Sequence, residues 1–130
     1  MTAPKLLLVE DDIFIGMDMA HTLSESGYLP VHAKSLVEAE QFVDTDKFAA
    51  IVLDFRVGSD DTIVFANRLR GLGQRVMFCT GSSPSDLRAL VGDVPVVGKP
   101  FTEQQLLEAV ASLVQTAGVP GAKSPEAGAS

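Results

Sequence analysis

KLLLVEDD, residues 5–12, joins a short apolar run directly to three consecutive acidic residues. Four further apolar runs, each four or five residues long and rich in Val, Ile, Leu or Phe, follow at 29–32, 49–53, 75–79 and 94–97. Runs of this length and composition are typical of strands that are buried on both faces of a sheet. The chain therefore has five predicted strands, and the first of them ends at a cluster of acids.

Segments with helical periodicity alternate with these runs. The predicted helices begin near residues 13, 35, 61, 82 and 102, and two of them open with capping boxes, SLVE at 35–38 and TEQQ at 102–105. The stretch 82–92 has the weakest pattern because it contains Pro84, and it predicts a short or mobile helix. Strands alternating with helices predict an α/β fold, a doubly wound five-stranded parallel sheet with five helices on its two faces.

The composition excludes several classes of protein. The chain has 130 residues, 46% of them apolar, which is enough for an ordered core. Its 17 acidic and 10 basic residues give a net charge of −7 without a basic cluster, so we expect no nucleic-acid partner. The single cysteine forms no internal disulfide, and no apolar run approaches the roughly 20 residues of a membrane span. We expect a cytoplasmic protein with no membrane partner, one domain at 1–116 and a flexible tail at 117–130.

The residues that end the predicted strands indicate a site at one edge of the sheet. Ligands of open parallel sheets bind beyond the carboxyl ends of the strands. Four strands deliver polar residues there: Glu10, Asp11 and Asp12 after the first, Asp54 after the third, Thr80 after the fourth and Lys99 after the fifth. Each residue alone has a simpler explanation, as a helix cap, a turn residue or a solvated charge. Four polar strand ends at one edge favour a functional site.

The acids at this edge favour a hard cation. Glu10, Asp11 and Asp54 would repel one another unless a cation lay among them, and Mg²⁺ or Mn²⁺ accepts one or two carboxylates while keeping water ligands. The other metal-ligating side chains lack the spacing of a zinc site and are predicted as core or surface residues: His21, His32 and Cys79.

The same set of residues suits phosphoryl chemistry. A cation and Lys99 would neutralise phosphoryl oxygens while the Thr80 hydroxyl donates a hydrogen bond. Asp54, which projects from a buried strand, can act as the nucleophile, as carboxylates do in aspartyl-phosphate chemistry. The sequence thus predicts a phosphoryl-accepting aspartate beside a metal site.

Four motifs in register resemble the receiver domain of bacterial response regulators: VEDD at 9–12, LD at 53–54, CTG at 79–81 and KPF at 99–101. The resemblance spans about residues 5–116 and implies the flavodoxin-like strand order 2-1-3-4-5. It implies that Asp54 is the phosphoryl acceptor and a ligand of Mg²⁺. It further implies that Asp11 is the main metal-binding acid, that Glu10 is its partner, and that the backbone carbonyl of Arg56 is another ligand.

The remaining matched positions have implied roles as well. Thr80 matches the hydroxyl switch residue, and Lys99 matches the invariant lysine of the family. The bond between Lys99 and Pro100 is cis in relatives, as a tight turn allows. Asp12 aligns with a variable position and is predicted as a helix cap.

Several positions depart from the family pattern. Val96 stands where the family usually carries an aromatic residue that moves with the threonine, and Gly58-Ser59 replaces the usual Pro-Gly. The stretch FCTG at 78–81, together with the weak fourth helix, resembles a branch named for a Phe-Ala-Thr-Gly signature, whose members are often stand-alone receivers. Arg56 and Ser82 lie where family members tune the lifetime of the phosphate.

The resemblance implies a single-domain response regulator that takes a phosphoryl group from a histidine kinase or a histidine phosphotransfer protein. The signal would then pass by contact to an unknown downstream protein. The first helix has a predicted core stripe at Ile15, Met19, Thr22 and Leu23. A second apolar set, Ile13, Met17 and Ala20, is predicted either as a docking face for the kinase or phosphotransfer helix or as scattered surface hydrophobes.

Other functions fit the residues less well. A phosphatase of the haloacid-dehalogenase class needs a second aspartate two residues after the nucleophile, and here that residue is Arg56. A flavin-binding domain needs a phosphate loop after the first strand, where Glu10 and Asp11 would repel the phosphate. No P-loop is present in the sequence, and we expect no enzyme beyond self-assisted phosphorylation and dephosphorylation. A receiver-like scaffold that works without phosphorylation stays open as the alternative.

Overall fold

Seven strands occur in residues 3–81 and 84–115, the ranges that the computed structural model describes: β1 (Lys5–Val9), β2 (Leu29–Ala33), β3 (Ala50–Asp54), β4 (Arg56–Val57), β5 (Asp60–Asp61), β6 (Val76–Thr80) and β7 (Val96–Gly98). Five of them form a parallel sheet in the order β2-β1-β3-β6-β7, and β4 and β5 pair as a separate antiparallel hairpin. Since β6 and β7 are the fourth and fifth strands of this sheet, the predicted order 2-1-3-4-5 is confirmed.

Five helices connect the strands: α1 (Ile13–Glu25), α2 (Leu36–Thr45), α3 (Ile63–Gly71), α4 (Pro84–Val91) and α5 (Glu103–Gln115). The predicted cap at Thr102 is reciprocal, because the Gln105 amide donates to the Thr102 hydroxyl (3.0 Å) and the Thr102 amide donates to the Gln105 side-chain oxygen (2.8 Å). Ser35 caps α2 by accepting from the Glu38 amide at 3.1 Å. The weak fourth helix is indeed short, with eight residues.

Alternate side chains of the central strands enter two separate cores. On one face, Leu7 and Ile51 pack beneath α2, α3 and α4 with residues such as Leu69. On the other face, Leu8 and Val52 pack beneath α1 and α5. This alternation requires the helices on both faces that define a doubly wound sheet. No helix in the described ranges is long and apolar enough to cross a membrane.

Three predictions about burial are wrong in part. The edge strand β2 is only half-buried, since it has a neighbour on one side, whereas the sequence predicted strands buried on both faces. On α1, Met19 and Leu23 are buried as predicted, but Ile15, on the first turn of the helix, is 38% exposed. Ala20, predicted to belong to the docking set, is partly buried and packs against the core of α1 and α5.

The β4–β5 hairpin has no counterpart in the sequence predictions. Gly58 occupies its turn with a φ of 64°, a conformation that favours glycine. The hairpin uses residues 60 and 61 as a strand, so α3 begins at Ile63 and not at the predicted residue 61. The predicted domain end at 116 and the flexible tail at 117–130 lie outside the described residues.

Candidate functional site

Three acids meet at the carboxyl edge of the sheet. Glu10 follows β1, Asp11 is the next residue, and Asp54 ends β3, which pairs with β1. Each offers a carboxylate oxygen that lies within 4.8 Å of the other two. Glu10 is buried, Asp54 is half-buried and Asp11 is exposed. The predicted proximity of these acids is therefore present, and the oxygen ligands fit a hard divalent cation with solvent access on the Asp11 side.

Glu10 is hydrogen-bonded through both its carboxylate and its backbone. Its side-chain oxygens accept from the Asp12 amide (3.1 Å) and from the Lys99 ammonium (2.7 Å). Its backbone amide donates to the Ala33 carbonyl at 3.1 Å, and its carbonyl accepts from the His32 ring at 2.7 Å. The position of this buried acid is thus determined by contacts with β2, the start of α1 and the loop after β7.

Lys99 lies between two acids. Its ammonium contacts Asp54 at 3.1 Å in addition to Glu10, and all three side chains are largely removed from solvent. Burial alone would lower the pKa of Lys99, but the hydrogen bonds and charges of Glu10 and Asp54 outweigh it and raise that pKa. Lys99 therefore carries its positive charge at neutral pH and offsets part of the repulsion between the acids.

Asp54 retains a strong tendency to hold a proton in spite of this lysine. Burial first, and the charge of Glu10 second, raise the pKa of Asp54 from 3.8 to about 6. Two carboxylates with one ammonium leave a net negative charge in a poorly solvated place. A cation bound among the acids would relieve this unfavourable charge, so the electrostatics fit the predicted ion.

Asp11 connects the acids to the hairpin. Its Oδ2 accepts a hydrogen bond from the Gly58 amide at 2.9 Å, across 47 residues of sequence. The hairpin strand β4 begins at Arg56, whose guanidinium lies over the Phe55 ring, 5.5 Å from its centroid. Arg56 is two residues after Asp54 in the sequence, and the metal-ligand role of its carbonyl stays a prediction.

A cavity of about 280 Å³ lies beside Asp54. Its lining residues are Asp54, Phe55, Arg56, Thr80, Gly81 and Lys99. Thr80 is the last residue of β6 and is buried, whereas the sequence predicted it just after the strand. The cavity therefore brings together the predicted acceptor, the predicted switch hydroxyl and the lysine.

Cys79 lies behind this cavity and is inert. It pairs with Asp54 across β6 and β3 and is 1% exposed. Burial raises the pKa of the Cys79 thiol to about 12, so it stays protonated and unreactive at neutral pH. Cys79 was predicted as a core or surface residue, and the structure places it in the core.

Thr62 supports Asp54, the predicted acceptor, and was missed in the sequence. It is fully buried, and its hydroxyl contacts the Asp54 carbonyl at 2.9 Å and the Phe55 carbonyl at 3.2 Å. Its own amide donates to the Phe55 carbonyl at 2.9 Å. The only signal was a threonine before an apolar helix, and this pattern predicts an ordinary cap, not a support for a loop 8 residues away.

Two residues near Glu10 were predicted to have structural roles only. Asp12 caps α1 as predicted, because its carboxylate accepts from the Ile15 amide at 3.0 Å. His32 was predicted only as a core or surface residue, yet its ring reaches the Glu10 carbonyl from β2. The missed signal was the strand order, which places β2 beside β1 and hence beside the acids.

Val96, which stands where the family usually carries an aromatic residue, lies close to α4. This side chain is buried in the core beneath α4, and its carbonyl accepts a hydrogen bond from the Arg88 guanidinium at 3.0 Å. The Lys99–Pro100 peptide bond is cis, as the resemblance implied. Ser82 lies outside the described residues.

Comparisons with known proteins agree on one fold. A response regulator receiver protein from Sinorhizobium medicae has a TM-score of 0.78 and 26% identity, covering 88% of this chain and 96% of that one. The chemotaxis response regulator CheY4 of Vibrio cholerae has a TM-score of 0.77 and 25% identity, covering 86% of this chain and 99% of that one. The NtrC4 receiver domain dimer has a TM-score of 0.75 and 27% identity, covering 85% and 96%.

One curated protein is also similar to this chain in sequence. The transcriptional regulatory protein PmrA of Pectobacterium parmentieri is 28% identical over 116 residues, which cover 85% of this chain and 52% of that protein. The chain thus spans about half the length of the curated relative that it matches. No family model matches the sequence. The resemblance to response regulator receivers is confirmed by these structures, since two are described as response regulators and two as receivers.

Proposed function

We propose that this chain, which has the fold of a response regulator receiver domain, accepts a phosphoryl group on Asp54 from a phosphohistidine donor, with Mg²⁺ as the required cation. The observation that carries the proposal is the arrangement around Asp54. Its carboxylate lies beside Glu10 and Asp11, contacts the Lys99 ammonium, and lines a cavity with the buried Thr80. A nucleophile next to a cation site and a fixed positive charge is the arrangement that phosphoryl transfer needs.

The transfer forms one bond and breaks another. An oxygen of the ionised Asp54 carboxylate attacks the phosphorus, and the bond between phosphorus and the donor imidazole nitrogen breaks. The electron pair of that bond leaves with the imidazole nitrogen, which takes up a proton. Asp54 then carries the phosphoryl group as a mixed anhydride, and water later hydrolyses it to the free carboxylate and inorganic phosphate. Asp54 is thus an acceptor that is regenerated, not the nucleophile of a phosphatase acting on other substrates.

The protein residues have distinct parts in this reaction. Lys99 is anchored between Glu10 and Asp54, so its ammonium is already beside the point where the phosphoryl oxygens arrive. Glu10, Asp11, Asp54 and the Arg56 carbonyl would hold the cation. When bound, Mg²⁺ would neutralise charge on the acids and on the incoming phosphoryl oxygens. Thr80 lines the cavity and would donate to a phosphoryl oxygen.

A second candidate function is a scaffold that binds its partner without phosphorylation. The observation that favours it is Val96, a small side chain already buried in the core where relatives carry a mobile aromatic residue. The complete set of Asp54, Thr80 and Lys99 favours phosphorylation instead. The two functions differ in whether Asp54 takes up phosphoryl at all, which one experiment decides.

The deciding experiment is intact mass after incubation with Mg²⁺ and acetyl phosphate. We expect one added phosphoryl group on the wild type, none on Asp54→Asn, and none when EDTA removes the metal. Asp44→Asn is the matched control, because Asp44 is an exposed aspartate on α2 away from the acids. Equal labelling of wild type and Asp54→Asn, or no labelling at any Mg²⁺ concentration, would contradict the proposal and leave the scaffold.

We also propose that the phosphohistidine partner, a histidine kinase or a phosphotransfer protein, docks on the start of α1. The exposed apolar residues there include Ile13, Phe14 and Met17, which come directly after the acidic cluster. Of the predicted docking set, Ile13 and Met17 belong to this face and Ala20 does not. An apolar face beside the acceptor would bring the donor imidazole within reach of Asp54.

A further inference from the structure

His32 and Gly16 form an unusual pair beside the acids. The His32 Nε2 atom lies 2.7 Å from the backbone carbonyl of Glu10. A carbonyl oxygen only accepts hydrogen bonds, so Nε2 must carry the proton and donate it. His32 belongs to β2 and Glu10 follows β1, so this bond joins the sheet edge to the acidic cluster.

Gly16 makes room for the imidazole. A Cβ atom built on Gly16 would lie 2.1 Å from His32 Cε1 and 2.2 Å from Nε2, so no other residue fits without displacing the ring. Gly16 is inside α1 and buried, at a position where alanine would stabilise a helix more than glycine does. The glycine therefore has a cost for α1, and the space occupied by His32 explains why it stands there.

We propose that His32 is a positioning residue for the metal site, and that Gly16 is required for it. The bond from His32 immobilises the backbone of Glu10, whose carboxylate lies in the acidic cluster with Asp11 and Asp54. The Glu10 amide is held independently by the Ala33 carbonyl, the residue next to His32 on β2. Both backbone groups of Glu10 are thus fixed by β2, and only its side chain is left to respond to a ligand.

The benefit of this anchoring is preorganisation. A buried carboxylate whose backbone is fixed loses little freedom when a cation binds, so more of the interaction energy appears as affinity. Loss of the His32 donor also leaves a partly buried carbonyl without that bond. This inference rests on the proposed Mg²⁺-dependent function, and it concerns affinity for Mg²⁺ more than the chemistry at Asp54.

The test compares His32→Leu with His32→Gln. Leucine fills similar space without a donor, whereas the glutamine amide nitrogen can take the place of Nε2. We expect His32→Leu to weaken Mg²⁺ binding by about tenfold or more, and His32→Gln to retain most of the affinity. Mg²⁺ binding is measured by titration calorimetry and by amide shifts in NMR spectra. His21→Leu, at an exposed histidine of α1, is the matched control and should bind Mg²⁺ as the wild type does.

A metal-free measurement tests the hydrogen bond itself. In EDTA, long-range nitrogen–proton spectra of the neutral His32 ring should show the proton on Nε2, and Gly16→Ala should alter this signature by displacing the ring. Gly16→Ala should lower the stability of the protein that carries His32. In the His32→Ala variant it should raise the stability, because the alanine at 32 leaves the space of the imidazole free. The double variant should still bind Mg²⁺ weakly.

Each contrary result has a distinct meaning. If wild type and all variants fail to bind Mg²⁺, the proposed function is wrong. If the wild type binds Mg²⁺ and His32→Leu binds it equally well, the positioning role is wrong. Equal losses in His32→Leu and His32→Gln would also overturn the role, since they would show that only the packing of the ring matters.

Discussion

The two halves of the site are attached to the fold in different ways. On the β1–α1 side, α1 has thirteen residues, a side-chain cap at Asp12 and four buried residues, and Glu10 is bonded through its amide, carbonyl and carboxylate. On the β6–α4 side, α4 has eight residues with two of them buried. The Arg88 guanidinium bonds it to the Val96 carbonyl on the edge strand β7.

This difference suggests separate parts for the two sides, cation binding on the β1–α1 side and movement on the α4 side. The acids that would hold a cation are positioned before any ligand arrives, which reduces the ordering cost of binding. The short helix next to Thr80 has less buried surface to hold it, so a change at the phosphoryl site would move α4 before it moves α1. The four predictions below test this contrast from the largest expected effect to the smallest.

The largest effect is expected for Lys99→Met. This variant leaves the poorly solvated carboxylates of Glu10 and Asp54 without the Lys99 ammonium that they share. We therefore expect a loss of about 3 kcal/mol of unfolding free energy in EDTA. Lys5→Met is the matched control, since Lys5 pairs with Asp46 at the surface and should cost at most about 1 kcal/mol. Urea unfolding with EDTA measures both. Equal losses would show that the acidic side is not specially dependent on Lys99.

The second effect is a pH dependence that Asp54→Asn removes. Because the pKa of Asp54 is about 6 in the folded chain and 3.8 ordinarily, the folded state holds the proton more tightly than the unfolded state does. Stability should therefore fall as the pH rises from about 4 to 6 without metal, and stay low above that range. We expect Asp54→Asn to be about 2 kcal/mol more stable than the wild type at pH 7 in EDTA. Added Mg²⁺ should reduce this advantage, and parallel pH profiles for the two proteins would contradict the electrostatic explanation.

A third pair of variants compares the two attachments directly. Asp12→Ala removes the cap of α1 and Arg88→Met removes the bond from α4 to Val96, and each should cost about 1 kcal/mol. Their local effects should differ, because α1 keeps its other anchors. Amide exchange should accelerate throughout α4 and at β7 in Arg88→Met, but only in the first turn of α1 in Asp12→Ala. Equal spreading of fast exchange in both helices would remove the contrast.

The smallest effect on stability is expected for Phe14→Ser. Phe14 is 82% exposed, so its removal should change the unfolding free energy by less than about 0.5 kcal/mol. Labelling by acetyl phosphate should be unchanged, whereas phosphotransfer from a phosphohistidine protein should slow if the start of α1 is the docking face. Val64→Ser on α3, at another exposed apolar residue, is the control. Equal slowing by both variants would contradict docking on α1.

The sequence predicted the fold well because its signals were local. Apolar runs marked the five strands of the sheet to within two residues at each end, and the boxes at Ser35 and Thr102 marked two helix starts. The hairpin at residues 56–61 escaped because its strands have two residues each, too few for any periodicity. The exposure of β2 escaped because an apolar run does not reveal that its strand will be at an edge.

The site was predicted through residue types and only partly through contacts. Acids, a hydroxyl and a lysine at strand ends were visible once parallel strands were inferred. The supports were not visible: Thr62 reaches the Asp54 carbonyl and His32 reaches the Glu10 carbonyl, and both bonds go to backbone atoms that any residue would offer. Such contacts depend on the path of the chain. The role of Gly16 could therefore be understood only once the structure showed the His32 ring beside it.

The buried thiol of Cys79 on β6 also provides a probe of how often the sheet opens. Cys79 pairs with Asp54 and is both protonated and shielded, so an alkylating reagent can modify it only while β6 is open. The modification rate therefore measures how often the sheet opens beside Asp54, and no residue has to be added to the sequence. Mg²⁺ bound at the acids should slow that rate. A phosphoryl group on Asp54 would also change the rate at which Cys79 is modified.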